Sequence, residues 1–334
     1  MNLFTKMQTI DRRWIYLVVA LCIIIPLLIP FNSKTYVTDP TSNLYQKIDS
    51  FAGKDDKAVL LSFSHDASTM AELFPMEVSI LRHCFERDIK VFTICFSPPS
   101  APLMAYALNV AKEDYPDLQS GVDYCNFGYK PYGLFLPIVL GMGDDVAEAV
   151  QTDADGRKIK NLEIMNGIRN YDDLNLIVDF AASAAVFSWI TYARVRFGAN
   201  VAAGVTAVMA ADNYPYLQSG QLVGMLSGLK GAAEYEKLVD VFAAYNDADH
   251  PNGRDYSPEV IKDTWVPIMD KTVSYESSEG IVDTPQKEVD LPYKFKQARI
   301  GMNAQSIAHI MIIVFIILGN IGYFMTRKTP DETI

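Results

Sequence analysis

Two long apolar segments, one near each end of the chain, constrain the fold more than any other feature of this sequence. Residues 14–31 contain no charged side chain and have Trp14 and Phe31 at their edges, and residues 307–325 also lack Asp, Glu, Lys and Arg. A helix of about 20 apolar residues crosses a bilayer, and aromatic rings favour its interfaces. The sequence therefore predicts two transmembrane helices in contact with lipid.

These segments divide the chain into a tail at 1–13, a central domain at 33–304 and a second tail at 326–334. An alternative interpretation of the first segment is a cleaved signal peptide, because basic residues precede it. The segment is longer than the usual signal-peptide apolar region of about 7 to 15 residues, and no small-x-small cleavage pattern follows it. The tails are too short for a kinase, transcription or ATPase module, so we expect any signal to pass through the helices or a partner.

Basic residues beside the two segments bear on orientation in the membrane. Five lie on the outer sides and five on the side of the central domain: Lys6, Arg12, Arg13, Arg327 and Lys328 against Lys34, Lys47, Lys294, Lys296 and Arg299. The count decides nothing by itself, but the first helix usually dominates and long domains translocate largely regardless of charge. We expect both termini in the cytoplasm and the central domain outside it.

Composition excludes several classes of protein. The chain has 29 Lys and Arg against 40 Asp and Glu, a formal net charge of −11, which argues against binding to a phosphate backbone and hence to nucleic acid. Four cysteines without a C-x-x-C pair, and four histidines, predict neither a disulfide scaffold nor a zinc site. Cys84, Cys95 and Cys125 have apolar neighbours and are predicted to be buried thiols. We expect no metal and no cofactor.

The central domain alternates short apolar runs with segments of helical periodicity. This alternation predicts a Rossmann-like α/β domain, with a mainly parallel sheet and helices on its faces. The predicted strands are 57–64, 89–96, 122–127, 174–180 and 201–209, and the predicted helices are 70–86, 101–111 and 184–197.

A seven-residue phrase occurs twice in this domain. Tyr115–Gly121 and Tyr214–Gly220 match at six of seven positions and begin 99 residues apart. The phrase predicts a duplication that gives two similar halves, about 57–150 and 174–245. The alternative is a single turn-forming phrase used twice, since Pro and Gly are common in the loops of any fold.

A glycine series lies in the segment 219–239, which is interpreted as one helix. Gly220, Gly224 and Gly228 recur every four residues and would share one face of that helix. A face without side chains lets another element approach closely. That neighbour is either the domain's own sheet or another subunit, and the sequence leaves both open.

Three polar residues, Ser64, His65 and Asp66, lie at the end of the first predicted strand. In open α/β sheets, ligands bind outside the carboxyl ends of the strands. Adjacent side chains on extended backbone point to opposite faces, so these three residues cannot form a catalytic relay. The sequence also lacks a G-x-S-x-G elbow, a P-loop and a G-x-G-x-x-G loop after a strand. Contact with a ligand is one interpretation, and capping of the next helix by Asp66 is the other.

The segment 246–292 is polar and acidic and is predicted to be a solvated loop. Its cluster of Asp247, Asp249, His250 and Asp255 is an alternative candidate for a metal site, but the spacing matches no calcium-binding loop.

Residues 65–85, HDASTMAELFPMEVSILRHCF, and 204–236, GVTAVMAADNYPYLQSGQLVGMLSGLKGAAEYE, carry a resemblance. They resemble segments of a family of uncharacterised prokaryotic membrane proteins that have two terminal transmembrane helices around one α/β domain. The resemblance covers most of the domain and implies this architecture. It implies no activity, ligand or site residue.

Three functions follow from these features as hypotheses. The sequence favours a membrane-anchored, self-associating scaffold or a subunit of a larger membrane complex, with other membrane proteins as partners. The alternative is a small-ligand-binding or sensing domain whose pocket lies near His65 and which signals through partners. A membrane-bound hydrolase is the third hypothesis, and the absence of a recognisable catalytic arrangement in the sequence disfavours an enzyme.

Overall fold

The structure is a computed structural model and describes residues 11–31, 35–243, 256, 264–265, 274–277, 280–281 and 296–326. The chain divides into two compact units. Lys34–Arg299 forms the sheet domain, and Met1–Ser33 with Ile300–Ile334 forms the other unit. The sheet domain corresponds to the predicted central domain at 33–304 and ends five residues earlier.

A six-stranded parallel sheet forms the centre of the sheet domain. Its order is β3-β2-β1-β4-β5-β6, which places β1 beside β4 in the middle, and both of these strands are buried along almost their whole length. The strands are β1 Ala58–Ser64, β2 Lys90–Cys95, β3 Tyr124–Tyr129, β4 Leu176–Ala181, β5 Val201–Val205 and β6 Leu222–Ser227. The predicted α/β class is confirmed.

Helices cover both faces of this sheet. Right-handed crossovers place the helices after β1 and β2 on one face, and because β4, β5 and β6 follow each other in the opposite direction, the helices after β4 and β5 lie on the other. The helices are α2 Asp39–Asp49, α3 Met70–Glu86, α4 Ser100–Lys112, α5 Phe135–Gly141, α6 Val146–Val150, α7 Ala185–Trp189, α8 Ala207–Gln218 and α9 Gly228–Ala243. Helix α7 continues through a π-helical turn, Ile190–Arg194, and ends at Phe197. A small antiparallel sheet contains β7 Thr264–Trp265, β8 Ser274–Ser277 and β9 Gly280–Ile281.

The two apolar terminal segments are helical. Helix α1, Arg12–Leu28, has 17 residues and begins after its cap, Asp11. Helix α10, Gln297–Thr326, has 30 residues and begins ten residues before the predicted span at 307–325. Within the described part of the chain, one helix, Gln297–Met325, is long and apolar enough to cross a membrane.

Buried charged side chains of α9 hold the first turn of α10 against the rest of the sheet domain. Glu236 on α9 accepts hydrogen bonds from the backbone N–H groups of Ala298 and Arg299, at 2.9 and 3.0 Å. The Arg299 guanidinium pairs with Asp240, which also accepts a 3.0 Å hydrogen bond from Arg82 on α3. Burial raises the pKa of Glu236 to about 8, against the opposing effect of Arg299. The start of this helix is therefore part of the sheet domain's polar core.

Two predicted elements in the second half of the sheet domain are wrong in their bounds or type. The strand predicted at 201–209 ends at Val205, and the next helix begins at Ala207, whose N–H donates to Glu72 on α3 at 2.8 Å. The helix predicted at 219–239 is instead a turn, then β6, and only then α9. In both places the contact that decides between strand and helix is made with a distant part of the chain: Glu72 for the start of α8, and β5 for β6. The local apolar pattern does not contain this information.

The prediction that Gly220, Gly224 and Gly228 share one helix face is also wrong. Gly220 lies in a turn and Gly228 at the start of α9, with φ of 72° and 56°, a conformation that is strained for other residues and absent from helix interiors. Gly224 lies in β6, where an added Cβ would lie 2.7 Å from Leu44 Cβ and 2.8 Å from Pro40 O. Gly224 therefore allows the close approach of α2 within the sheet domain.

The two copies of the repeated phrase occupy equivalent places in the topology. Tyr115–Gly121 precedes β3 and Tyr214–Gly220 precedes β6, and these strands are the two edges of the sheet. Gly121 and Gly220 both have positive φ, 90° and 72°. The copies differ locally, because the first follows the end of α4 and the second forms the last turns of α8. This arrangement is consistent with two halves, β1–β3 and β4–β6.

Candidate functional site

A cleft of about 540 Å³ lies at the carboxyl ends of the central strands. Ser64 contributes from the end of β1, residues 96–98 from the segment after β2, Tyr132 and Phe135 from the segment after β3, and residues 183–185 from the segment after β4. Strands β1 and β4 mark the place where the strand order reverses, and doubly wound domains bind ligands in the crevice at that place. The cleft is therefore the candidate ligand site.

The ten described residues that line the cleft combine aromatic rings with hydroxyl groups and include no charged side chain. Phe96 and Phe135 meet edge to face with their ring centroids 4.8 Å apart, and Phe135 stacks on Tyr132 at 6.1 Å. Trp189 packs edge to face against Phe135 at 5.5 Å. The hydroxyl groups belong to Ser64, Ser97, Ser183, Ser188 and Tyr132. Such a lining suits an apolar or aromatic ligand with a few polar groups.

Ser64 connects the cleft to a buried carboxylate. Its Oγ donates a hydrogen bond to Asp179 Oδ1 at 2.8 Å, from β1 to β4. Asp179 is fully buried, and its Oδ2 accepts no hydrogen bond within the described residues. Burial raises the pKa of Asp179 to about 6, opposed by the hydroxyl groups of Ser62 and Ser64. Ser62 lies two residues before Ser64 on the same face of β1, and its Oγ accepts a 3.1 Å hydrogen bond from Trp189 Nε1.

His65 is buried and does not line the cleft. Its Nε2 pairs with Glu77 on α3, and neither side chain is accessible to solvent, while its Nδ1 lies 3.1 Å from the carbonyl oxygen of Asp66. The Ser100 hydroxyl donates to the His65 carbonyl at 2.6 Å and fixes the backbone. Burial lowers the pKa of His65, but the hydrogen bond and charge of Glu77 together with smaller contributions outweigh it, so that the pKa is raised. Burial also raises the pKa of Glu77.

Asp66 is exposed and caps the turn that leads into α3, which is close to the capping interpretation of the sequence. Its Oδ1 accepts hydrogen bonds from Ser68 N at 2.8 Å and Ser68 Oγ at 2.6 Å, and these bonds lower the pKa of Asp66. Dinucleotide-binding domains hold a phosphate at the start of this helix. The Asp66 carboxylate lies in the turn just before that helix, which places a negative charge near the position.

The structure thus separates the three residues that the sequence analysis grouped. Ser64 lines the cleft, His65 is paired inside the domain and Asp66 caps a helix, so they form no catalytic relay. Among the described residues, no group of three or more His, Cys, Asp or Glu side chains is arranged to hold a metal ion. The acidic cluster of Asp247, Asp249, His250 and Asp255 lies outside the described residues.

Sequence reasoning missed the buried carboxylates and the aromatic lining of the cleft. Asp179 interrupts the apolar strand that was predicted at 174–180, and Glu77 lies among apolar residues of α3. A charge inside an apolar run was an available signal, because buried carboxylates require a partner. Phe96 and Phe135 carried no signal, because an aromatic residue near a strand looks the same whether it fills a core or lines a cleft.

A second cavity, of about 500 Å³, lies at the opposite end of the strands. Asp55, Asp88, Asp123 and Glu163 are among its lining residues. The ammonium group of Lys90 donates to the carbonyl oxygens of Asp55 and Asn166, both at 2.8 Å. These contacts fix the loops at that end of the sheet and leave the cleft at the carboxyl ends as the better candidate.

Comparisons with protein-family profiles, with curated proteins and with solved structures find no match for this chain.

Proposed function

We propose that this protein is a membrane-attached domain that binds a small molecule in the cleft between its two halves. The observation that carries the proposal is the position of the cleft at the β1–β4 reversal, where segments that follow four different strands converge. Its aromatic rings and hydroxyl groups provide both apolar surface and hydrogen bonds. The hydrolase hypothesis has no comparable support, because both ring nitrogens of His65 have partners.

Attachment through two transmembrane helices is part of the proposal. Helix α10 meets the length and apolar composition of a span, and α1 is an apolar helix of 17 residues with exposed side chains such as Trp14 and Leu28. Lys296 and Arg299, which the sequence analysis counted against an extracytoplasmic domain, are both buried within the sheet domain. Two of the five opposing charges are thereby accounted for by packing, which supports the orientation with both termini in the cytoplasm.

Self-association as a scaffold stays a prediction. The sequence suggests it from the glycine series and from the two apolar segments, and Gly224 packs against α2 inside the sheet domain. Ligand binding therefore has the more specific structural support.

Blocking the cleft tests the proposal. Ala185→Trp places a large ring at the lining, and Ala211→Trp places the same ring on the exposed surface of α8 as a control. In a thermal-shift screen of small metabolites on the full-length protein in detergent, we expect at least one compound to raise the melting temperature of the natural chain and of Ala211→Trp, but not of Ala185→Trp, since ligands stabilise the state that binds them. Equal shifts in all three proteins, or none in any, would contradict ligand binding in the cleft.

A further inference from the structure

We infer that Ser64 is a hydrogen-bond acceptor in the cleft and that it selects ligands carrying an amine or hydroxyl donor on an aromatic or apolar body. This inference rests on the proposed function and specifies its ligand class. It depends on the direction of the hydrogen bond between Ser64 and Asp179 and on the groups that surround these two side chains.

The direction of the Ser64–Asp179 hydrogen bond is fixed by chemistry. A serine hydroxyl has one proton and two lone pairs, and an ionised carboxylate only accepts. Because Ser64 Oγ lies 2.8 Å from Asp179 Oδ1, its proton is committed to the carboxylate. Towards the cleft, Ser64 therefore presents lone pairs.

The fully buried position of Asp179 strengthens this preference. Asp179 is fully buried and cannot turn to water for another donor, so the loss of the Ser64 proton would leave its Oδ1 without a hydrogen bond. A ligand with an acceptor facing Ser64 would place two sets of lone pairs against each other, and that acceptor would lose its bond to water without replacement. A ligand donor instead completes a chain from ligand to Ser64 to Asp179.

The other walls specify the rest of the ligand. Phe96, Tyr132 and Phe135 provide ring surfaces, and none of the ten described lining residues carries a charge that would hold a carboxylate. The negative charge of Asp179 behind Ser64 favours a protonated amine over a neutral hydroxyl, and aromatic faces attract cations as well. The charge of His65 acts on Asp179, but His65 is itself paired with the carboxylate of Glu77.

Four probes that share a phenyl ring test the inference: 2-phenylethylamine, 2-phenylethanol, the methyl ether of that alcohol and 3-phenylpropanoate. Binding to the full-length protein in detergent is measured by ligand-observed NMR, with Ala185→Trp as the blank for partition into detergent. We expect the amine and the alcohol to bind more tightly than the ether and the carboxylate. Ser64→Ala should weaken the amine roughly tenfold, the size of a hydrogen bond to a polarised group, and leave the ether unchanged.

Two further variants separate the outcomes. Ser188→Ala removes another hydroxyl of the same lining and should leave the order of the four probes unchanged. Asp179→Asn keeps an acceptor for Ser64 but removes the charge, and it should reduce the preference for the amine over the alcohol even where Ser64→Ala fails to fold. Cleft-dependent binding without preference for donors would overturn the role of Ser64 and leave the proposed function standing. No cleft-dependent binding by any probe would overturn both.

Discussion

Asp179 shows how one buried side chain makes this fold respond to pH. Its pKa is raised from 3.8 to about 6 by burial, so the folded chain binds this proton more tightly than the unfolded chain does. Between about pH 4 and pH 6, the contribution of Asp179 to stability therefore falls as pH rises. Above that range the buried charge lowers the free energy of unfolding. The upper limit is about 3 kcal/mol, because the pKa shifts by about two units and one unit corresponds to about 1.36 kcal/mol.

Replacing Asp179 by Asn removes the charge and keeps an acceptor for Ser64. We expect Asp179→Asn to be more stable than the natural chain at about pH 7.5, by less than about 3 kcal/mol, and the difference to vanish as pH falls to about 4. Denaturant titrations of the full-length protein at both pH values measure it. Asp117→Asn makes the same substitution at an exposed position and is the control. An advantage that grows towards low pH would contradict the assigned burial cost.

At the scale of elements, the contact between β6 and α2 depends on the missing side chain at Gly224. We expect Gly224→Ala to lower the free energy of unfolding by about 1 to 3 kcal/mol, because the new Cβ would overlap backbone atoms that cannot move aside as a flexible side chain can. Thermal melts and native mass measurements of the full-length protein in detergent check this. Gly133→Ala is the control, because nothing lies within 4 Å of its added Cβ. A variant that loses subunits and keeps its melting temperature would instead place Gly224 between subunits.

Element by element, the sequence predicts most reliably where the decisive contacts are local. Helix α3 has the same bounds, 70–86, in prediction and structure, because its apolar periodicity and the turn that Asp66 caps just before it both depend on residues close together in the sequence. The local pattern of 219–239 predicts a helix where the structure has β6, because the choice between strand and helix there depends on pairing with β5 and packing against α2. The cleft was foreseen only at Ser64. Its other walls come from segments that the sheet order brings together, and that order is not a local property.

At the scale of the whole molecule, the proposed two-span topology predicts which sites are accessible from outside the cell. The three buried thiols, Cys84, Cys95 and Cys125, are confirmed as free and buried. Burial raises the pKa of Cys95 and of Cys125 to about 12, so they react slowly with maleimides and give a low background. Cys22 in α1 is replaced by Ser in all variants.

Single cysteines then report the side of each region. We expect a membrane-impermeant maleimide to label Asp155→Cys, whose side chain is 72% exposed in the sheet domain, on intact cells. Thr5→Cys and Glu332→Cys, one in each tail, should be labelled only after permeabilisation. Labelling of both tails and not of Asp155→Cys from outside would reverse the orientation, and labelling of one tail alone would exclude two spans.

The central position of β1 has a consequence for the nascent chain. Ser64 and Asp179 are neighbours in the sheet but lie 115 positions apart in the sequence. At about 5 to 20 residues per second, the ribosome needs roughly 6 to 23 seconds to add that length. During this interval β1 can pair with β2, but its other edge has no partner, and unpaired apolar edges are where chains aggregate. Protection of that edge by a chaperone or by rapid synthesis would matter most before β4 emerges, and the cleft cannot form until Ser188, the last of its described lining residues, has been added.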